Sequence, residues 1–238
     1  MKSIENNEGE VEKRKDMRNT LTFTIDPDDA KDFDDAISFS ELNDNLFEVG
    51  VHIADVSYFV KEDTELDREA KSRATSVYLV DRVIPMLPET LSNNLCSLRP
   101  NEDKLTFSAI FKVNKKGEIK EEWFGKTIIK SNERLSYQEA KHLIDSGSTK
   151  IPKEVSLDNK EKNVEEKLTK ALSVTNEIAQ NIRKKRISTG AIIFDKTEIK
   201  FELNENKHPT EISFKKAENA NKLIEELMLL ANKRVAER

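Results

Sequence analysis

Residues 25–36 read Ile25-Asp26-Pro27-Asp28-Asp29-Ala30-Lys31-Asp32-Phe33-Asp34-Asp35-Ala36, with six aspartates among the ten positions 26–35. An alternating apolar and polar run, 21–25, leads into this stretch, and two more, 36–39 and 47–53, follow it. Alternation of that period marks half-buried strands, and Asn43-Asp44-Asn45 supplies a turn between the last two. The acidic stretch is therefore a loop between strands. Phe33 and the apolar flanks require part of it to face a core. Six like charges in one loop repel each other unless a cation sits among them. Short, hard carboxylate oxygens converging on one point favour Mg²⁺ or Mn²⁺. Two such ions about 4 Å apart activate a water and stabilise the leaving oxygen in phosphodiester hydrolysis. The plain alternative is a solvated acidic loop.

Outward from the loop, strands and helices intersperse. Thr64-Glu65-Leu66-Asp67 opens a helix expected to run to about Val77. Residues 81–102 are irregular, with Pro85, Pro88 and Pro100. Residues 105–113 alternate, turn at 114–117 and return over 118–129 as a hairpin. Ser136-Tyr137-Gln138-Glu139 is a capping box for a short helix that stops near Gly147. A polar connection over 148–162 leads to a long helix over 163–186, whose terminal Arg183-Lys184-Lys185-Arg186 suits a helix C-terminus. Strands at 191–194 and 198–203 precede a last helix from about Ala217. There Leu223, Ile224, Leu227, Leu230 and Ala231 follow helical spacing. The whole reads as one α+β unit without internal repeat. Residues 1–18 form a charged lead-in.

Composition excludes several classes. No apolar run is long enough to span a membrane, and the charged N-terminus has no signal-peptide core. One cysteine, Cys96, cannot form an internal disulfide, which suits a reducing cytoplasm. The formal net charge of -5 argues against nucleic acid, since binders usually carry excess Lys and Arg. Six of those acids, however, lie in the one loop, where bound cations would invert the local potential. An EF-hand starting at Asp26 fails, because Lys31 stands where Gly is needed and Ile37 where Glu is needed. A haloacid-dehalogenase-type phosphatase would use strand-Asp-x-Asp-x-Thr/Val. Ile25-Asp26-Pro27-Asp28 supplies the first half, but Ala30 departs from it, leaving a remote alternative.

The string TIDPDDAKDFDDAISF (24–39) resembles the catalytic signature of the ribonuclease II / ribonuclease R family of exoribonucleases. The strings VGVHIADVSYFV (49–60), LDREAKSRATSVYL (66–79), VIPMLPETLSNNLCSLRPNEDKLTFS (83–108) and ANKLIEELMLLANKRVAE (220–237) resemble successive blocks of its catalytic domain, in order and closer to ribonuclease R. The resemblance implies a mixed, largely antiparallel, barrel-like sheet flanked by helices. It implies a processive, metal-dependent 3′→5′ exoribonuclease releasing nucleoside 5′-monophosphates from single-stranded RNA. Four aspartates carry the metal and catalytic roles and match Asp26, Asp32, Asp34 and Asp35, with Mg²⁺ (or Mn²⁺) as cofactor. Two aromatic residues that clamp the 3′-terminal nucleotide match Tyr78 and Phe194. Stacking is indifferent to base identity, which suits an enzyme that digests any sequence. Read alone, Tyr78 is a helix-end core tyrosine and Phe194 one of eleven Phe.

The family's domain is longer, so residues 19–238 are expected to be its N-terminal two-thirds. OB-type cold-shock modules and a C-terminal RNA-binding module are expected in the full-length protein, which is expected to be cytoplasmic and monomeric. An inactive RNA-binding or interaction fragment is the alternative, and the apolar face of the last helix is expected to be exposed or loosely packed. His52 is expected to be packed or hydrogen-bonded, Cys96 a small buried hydrophobe and Trp123 core. The Arg183–Arg186 cluster is read either as an RNA-phosphate contact or as a solvated helix end.

Overall fold

The computed structural model describes residues 8–192, 197–204, 209–216 and 219–238. The elements in chain order are α1 (Glu8–Val11), β1 (Lys15–Asp16), β2 (Leu21–Asp26), β3 (Asp35–Asn43), β4 (Leu46–Ala54), α2 (Val56–Phe59), α3 (Glu65–Arg73), β5 (Val77–Tyr78) and β6 (Val83–Ile84). A π-helical turn at Leu91–Leu95 follows, then β7 (Asp103–Val113), β8 (Ile119–Lys130), β9 (Glu133–Ser136), α4 (Tyr137–Ser146), β10 (Lys150–Ile151), β11 (Lys162–Asn163), α5 (Glu166–Ser188), β12 (Thr197–Leu203), β13 (Pro209–Lys216) and α6 (Asn219–Ala236). The architecture is α+β, as expected.

Seven strands form one sheet in the order β1-β8-β7-β4-β3-β2-β9. The inner pairs are antiparallel, while β1 on β8 and β2 on β9 run parallel. β8 and β9 stand near opposite ends of that order, yet only residues 131 and 132 separate them in the chain. So short a link cannot cross an open sheet, so the sheet curls until its ends approach. Asn132 N–H donating to Thr22 O at 2.7 Å fastens the closure.

The alternation splits the sheet into two faces. One face carries Phe23, Ile25, Ile37, Phe39, Phe47, Val49, Val51 and Phe111, packed against α4, α5 and α6 in the main core. The other carries Thr22, Thr24, Ala36, Ser38, Gly50, His52, Ser108 and Ile110. No helix of the main core covers it, and its polar side chains are buried by the curl itself. A second apolar cluster closes one end of it. Phe33, Ala36, Ala54, Leu91, Cys96, Leu98, Ile110 and Ile129 meet there with Met17.

Local signals set the helix ends. Thr64 Oγ1 caps α3 by accepting from Asp67 N–H, and Ser136 with Glu139 forms the expected capping box of α4, which ends on left-handed Gly147. Several expectations change. α3 stops at Arg73 on left-handed Ala74, short of Val77, which pairs instead with Ile84 in the β5–β6 hairpin. The irregular 81–102 region contains β6 and the π-helical turn, and the polar 148–162 connection contains β10.

The lead-in does not trail as a linker from Glu8 onward. Arg14 is buried against Asp55 at 2.6 Å, and β1 pairs with β8. Trp123 is not core: its ring lies over Gly125, with Lys15 Nζ 5.0 Å from its centroid. The apolar face of α6 is packed, with Leu223, Leu227 and Ala231 buried in the main core. The strand expected at 191–194 falls partly outside the described residues.

Candidate functional site

Asp26 ends β2 and Asp35 begins β3, so the acidic loop leaves one strand and returns on its neighbour. β9 runs beside β2 with Ser136 opposite Asp26. Distant parts of the chain fix the loop's path. Ser97 Oγ donates to Lys31 O at 2.9 Å and accepts from Phe33 N–H at 3.1 Å. Leu98 N–H donates to Phe33 O at 2.8 Å, and Ala54 N–H donates to Asp34 O at 3.0 Å. Phe33 is buried in the second cluster, as its place among the acids required. Arg134 Nη2 donates to Pro27 O at 2.8 Å and to Asp28 O at 3.0 Å, and its guanidinium lies 5.1 Å over the Phe33 ring.

The four aspartates implied by the resemblance lie within electrostatic reach of one another. Asp26 is buried, and burial raises its pKa to about 7; Thr24 and Arg134 pull it down, while Asp35 and Asp32 push it up. Burial and then Asp34 raise Asp35 to about 6. Asp34 is also raised, by its protein surroundings first and by Asp32 second, although its side chain opens to solvent. Asp28 and Asp29 are exposed on the outer bend. None of the four forms an ion pair with a Lys or Arg among the described residues.

Asp26 Oδ2 is buried without a hydrogen-bond partner. A buried carboxylate oxygen without a partner, ringed by like charges, is what a divalent cation would relieve. The donor set, all carboxylate oxygen, suits Mg²⁺ or Mn²⁺. Among the described residues no three acidic, His or Cys side chains stand close enough together to hold a metal ion. The donor chemistry fits the ion, while the carboxylates as placed do not converge on one point.

Tyr78 is brought to this cluster. It sits on β5 with 68% of its surface exposed, so the helix-end core reading is wrong. Its phenol is raised by partial desolvation first and then by the nearby carboxylates of Asp32 and Asp34. Val77, Leu79, Val80, Val83 and Ile84 of the same hairpin are exposed as well. Phe194 lies outside the described residues.

Sequence reasoning missed Arg134 and Ser97. Arg134 is 107 positions from Pro27, and nothing local distinguishes it. Ser97 lies inside a quoted block, but only its hydrogen bonds reveal that it shapes the loop. The remaining expectations divide. His52 is fully buried with Nδ1 2.6 Å from Ser108 Oγ, and Cys96 is buried with its thiol pushed up to about 11 by desolvation. Arg183 and Arg186 are neither a free phosphate contact nor a solvated end. Both grip the buried Glu226, at 2.9 and 2.5 Å.

A family profile described as "RNB domain" matches residues 14–238. The DIS3-like exonuclease 2 of Schizosaccharomyces pombe is 48% identical over 231 residues, covering 96% of this chain and 24% of that protein. An Arabidopsis thaliana relative named "Inactive exonuclease DIS3L2" is 41% identical, with 97% and 22% covered. The solved structure "Mycoplasma genitalium RNase R in complex with ribose methylated single-stranded RNA" superposes with a TM-score of 0.87 at 30% identity, covering 99% of this chain and 35% of that one. The chain thus spans about a quarter of the length of these curated relatives. Among the described residues, no helix is long and apolar enough to cross a membrane.

Proposed function

Because the chain belongs to the RNB-domain family of ribonuclease II/R-type exoribonucleases, we propose that it carries the acidic centre of a hydrolytic 3′→5′ exoribonuclease acting on single-stranded RNA. The observation that carries this reading is the Asp26–Asp35 loop. Asp26 and Asp35 are held partly buried at adjacent strand ends with raised pKa values and, among the described residues, no ion pair. A fold seldom retains unpaired buried acids unless a ligand compensates them.

Asp26, Asp32, Asp34 and Asp35 would hold Mg²⁺ or Mn²⁺, which when bound supplies charge neutralisation and an activated water for phosphodiester hydrolysis. Asp26, fixed by β2, and Asp35, fixed by β3, set the rigid side of the centre. Asp34 is the exposed member and can turn toward substrate. Arg134 and Ser97 position the loop by its backbone and touch no reacting atom. Tyr78 offers an exposed ring beside Asp32 for the terminal base, which orients the scissile phosphate over the carboxylates. Phe194 is the second face of that clamp in this reading. The protein would work in the cytoplasm, where Cys96 stays reduced, with further RNA-binding modules in the full-length protein.

An RNA digestion assay decides between this reading and an inactive RNA-binding unit. The chain is incubated with end-labelled single-stranded RNA and Mg²⁺, with EDTA as control and an Asp34→Asn variant alongside. EDTA-sensitive release of nucleoside monophosphates, reduced roughly 100-fold or more in the variant, is expected; the size follows from losing one electrostatic stabiliser of the transition state. Binding without products would support the inactive reading. Equal turnover of wild type and variant would remove Asp34 from the centre.

A further inference from the structure

Among the described residues, five buried side-chain polar atoms lack a hydrogen-bond partner: Thr24 Oγ1, Asp26 Oδ2, Ser38 Oγ, His52 Nε2 and Arg134 Nε. All five lie on four successive strands, β9, β2, β3 and β4. Orphaned buried groups are rare, and a local concentration of them points to a bound water or ion. Asp26 faces the acidic centre and Arg134 the back of its loop. The other three are carried by Thr24, Ser38 and His52, which are 1%, 1% and 0% exposed on the second face of the sheet.

Gly50 shows how close two of these groups come. Ser38 pairs with Gly50 across β3 and β4, and His52 is two residues along the same strand. A Cβ at Gly50 would stand 2.4 Å from Ser38 Oγ and 2.7 Å from His52 Nε2. Both polar atoms therefore lean over the same glycine, no farther apart than those two distances laid end to end. That is within the span one bridging water covers. Yet neither makes a hydrogen bond to any protein atom. The other ring nitrogen is already used: His52 Nδ1 is 2.6 Å from Ser108 Oγ, which is 2.5 Å from Thr127 Oγ1, itself 2.5 Å from Thr106 Oγ1.

We infer that the second face of the sheet contains an internal hydration site bounded by Ser38 and His52, whose resident water joins Ser38 to the His52–Ser108–Thr127–Thr106 chain. Small polar cavities with two to four partners hold water, whereas apolar ones stay dry. The completed chain runs across β3, β4, β7 and β8 and ties the strand that begins with Asp35 to the far side of the sheet. His52 is then a positioning residue that acts through the water, and the site stands whether or not the chain is a nuclease.

The test is a high-resolution crystal structure of the chain together with ¹⁵N NMR of the His52 ring. The expected result is a fully occupied water within hydrogen-bond distance of both Ser38 Oγ and His52 Nε2, with a long-lived water cross-peak to the ring. Ser38→Ala should remove the bridge and shift the Nε2 resonance while leaving Nδ1 in place, a change that loss of packing alone would not make. If Ser38→Ala does not fold, the near-isosteric Ser38→Cys serves as the second variant, expected to weaken the same cross-peak. A direct Ser38–His52 hydrogen bond without water, an empty gap, or an Nε2 resonance indifferent to Ser38→Ala would each overturn the inference.

Discussion

Two groups of buried carboxylates in this chain are treated in opposite ways. Glu226 of α6 is 1% exposed and held by Arg183 and Arg186 of α5, while Asp55 is held by Arg14 at 2.6 Å. Burial alone would raise Asp55, but its bonds to Ser57 and Arg14 outweigh that and hold it below the ordinary range. Among the described residues Asp26 and Asp35 have no such ion pair, and burial with like charge pushes them up. Desolvating a carboxylate costs several kcal/mol unless a counter-charge offsets it. The first group is therefore complete as protein, whereas the second is complete only with something added. That contrast separates structural acids from candidate functional ones without reference to any relative.

The contrast can be broken most directly at Glu226. Glu226→Ala should cost about 3 kcal/mol of folding stability, the low end for breaking a buried pair, because both arginines keep some contact with water. Denaturant titration reads the loss. The mirror-image change is Asp26→Asn. In metal-free buffer at pH 8 it should raise stability by roughly 2 kcal/mol, since it removes a charge that the fold disfavours. In excess Mg²⁺ the sign should reverse, because the wild type alone gains a ligand-bound state. If Asp26→Asn destabilises the metal-free chain as Glu226→Ala does, the two groups are not different in kind.

His52 gives a third, smaller contrast, between buried acids and a buried base. Desolvation first, and Lys15 second, lower its pKa to about 3. A depressed histidine is neutral in the fold, so the unfolded chain takes up its proton first. Stability is intact above about 6.5 and is lost as pH falls from there toward 3. Between pH 6.5 and 5 the loss should be about 1.5 kcal/mol by that linkage. Asp26 and Asp35 act with the opposite sign in the same window, since their folded forms bind protons more readily. The comparison that isolates the histidine is therefore wild type against His52→Gln. The stability gap between them should narrow by that amount on acidification, and a constant gap would mean that His52 is not held neutral.

How much of this was legible in the sequence depends on range. The acidic loop and its flanking strands could be read because charge density and alternation are local, and Ser136 with Glu139 announced α4 in four residues. What failed was long-range. Arg14 reads as part of a charged tail, yet its partner Asp55 lies 41 positions away and draws it into the fold. Arg183 and Arg186 read as a basic helix end because Glu226 is 40 or more positions on. Trp123 follows the apolar alternation of its strand, but Gly125 leaves a flat shelf on which the ring lies half-exposed. Val77 continues a helical pattern until it pairs with Ile84. In each case a partner distant in sequence overrode a local preference. The family resemblance reached the aspartates and Tyr78, but not the side chains that shape the loop behind them.

Tyr78 tests the contrast at its rim, where structure and function come apart most cleanly. Its ring is mostly exposed and its backbone belongs to a two-residue strand, so Tyr78→Ala removes little buried area and should change folding stability by less than about 0.5 kcal/mol. One stacked base is worth about 1–3 kcal/mol, and so open a ring belongs near the low end. RNA affinity should therefore fall about fivefold, with a longer limit product if the ring holds the terminal nucleotide against the carboxylates. Asp32 makes the outcome diagnostic, because it shifts the Tyr78 phenol and is one of the four acids. Tyr78→Phe keeps the ring and loses the hydroxyl that Asp32 influences. If stacking is the role, Tyr78→Phe should behave as wild type in affinity and product length. If it instead matches Tyr78→Ala, the hydroxyl is what matters, and Tyr78 belongs with the side chains that set the acids in place.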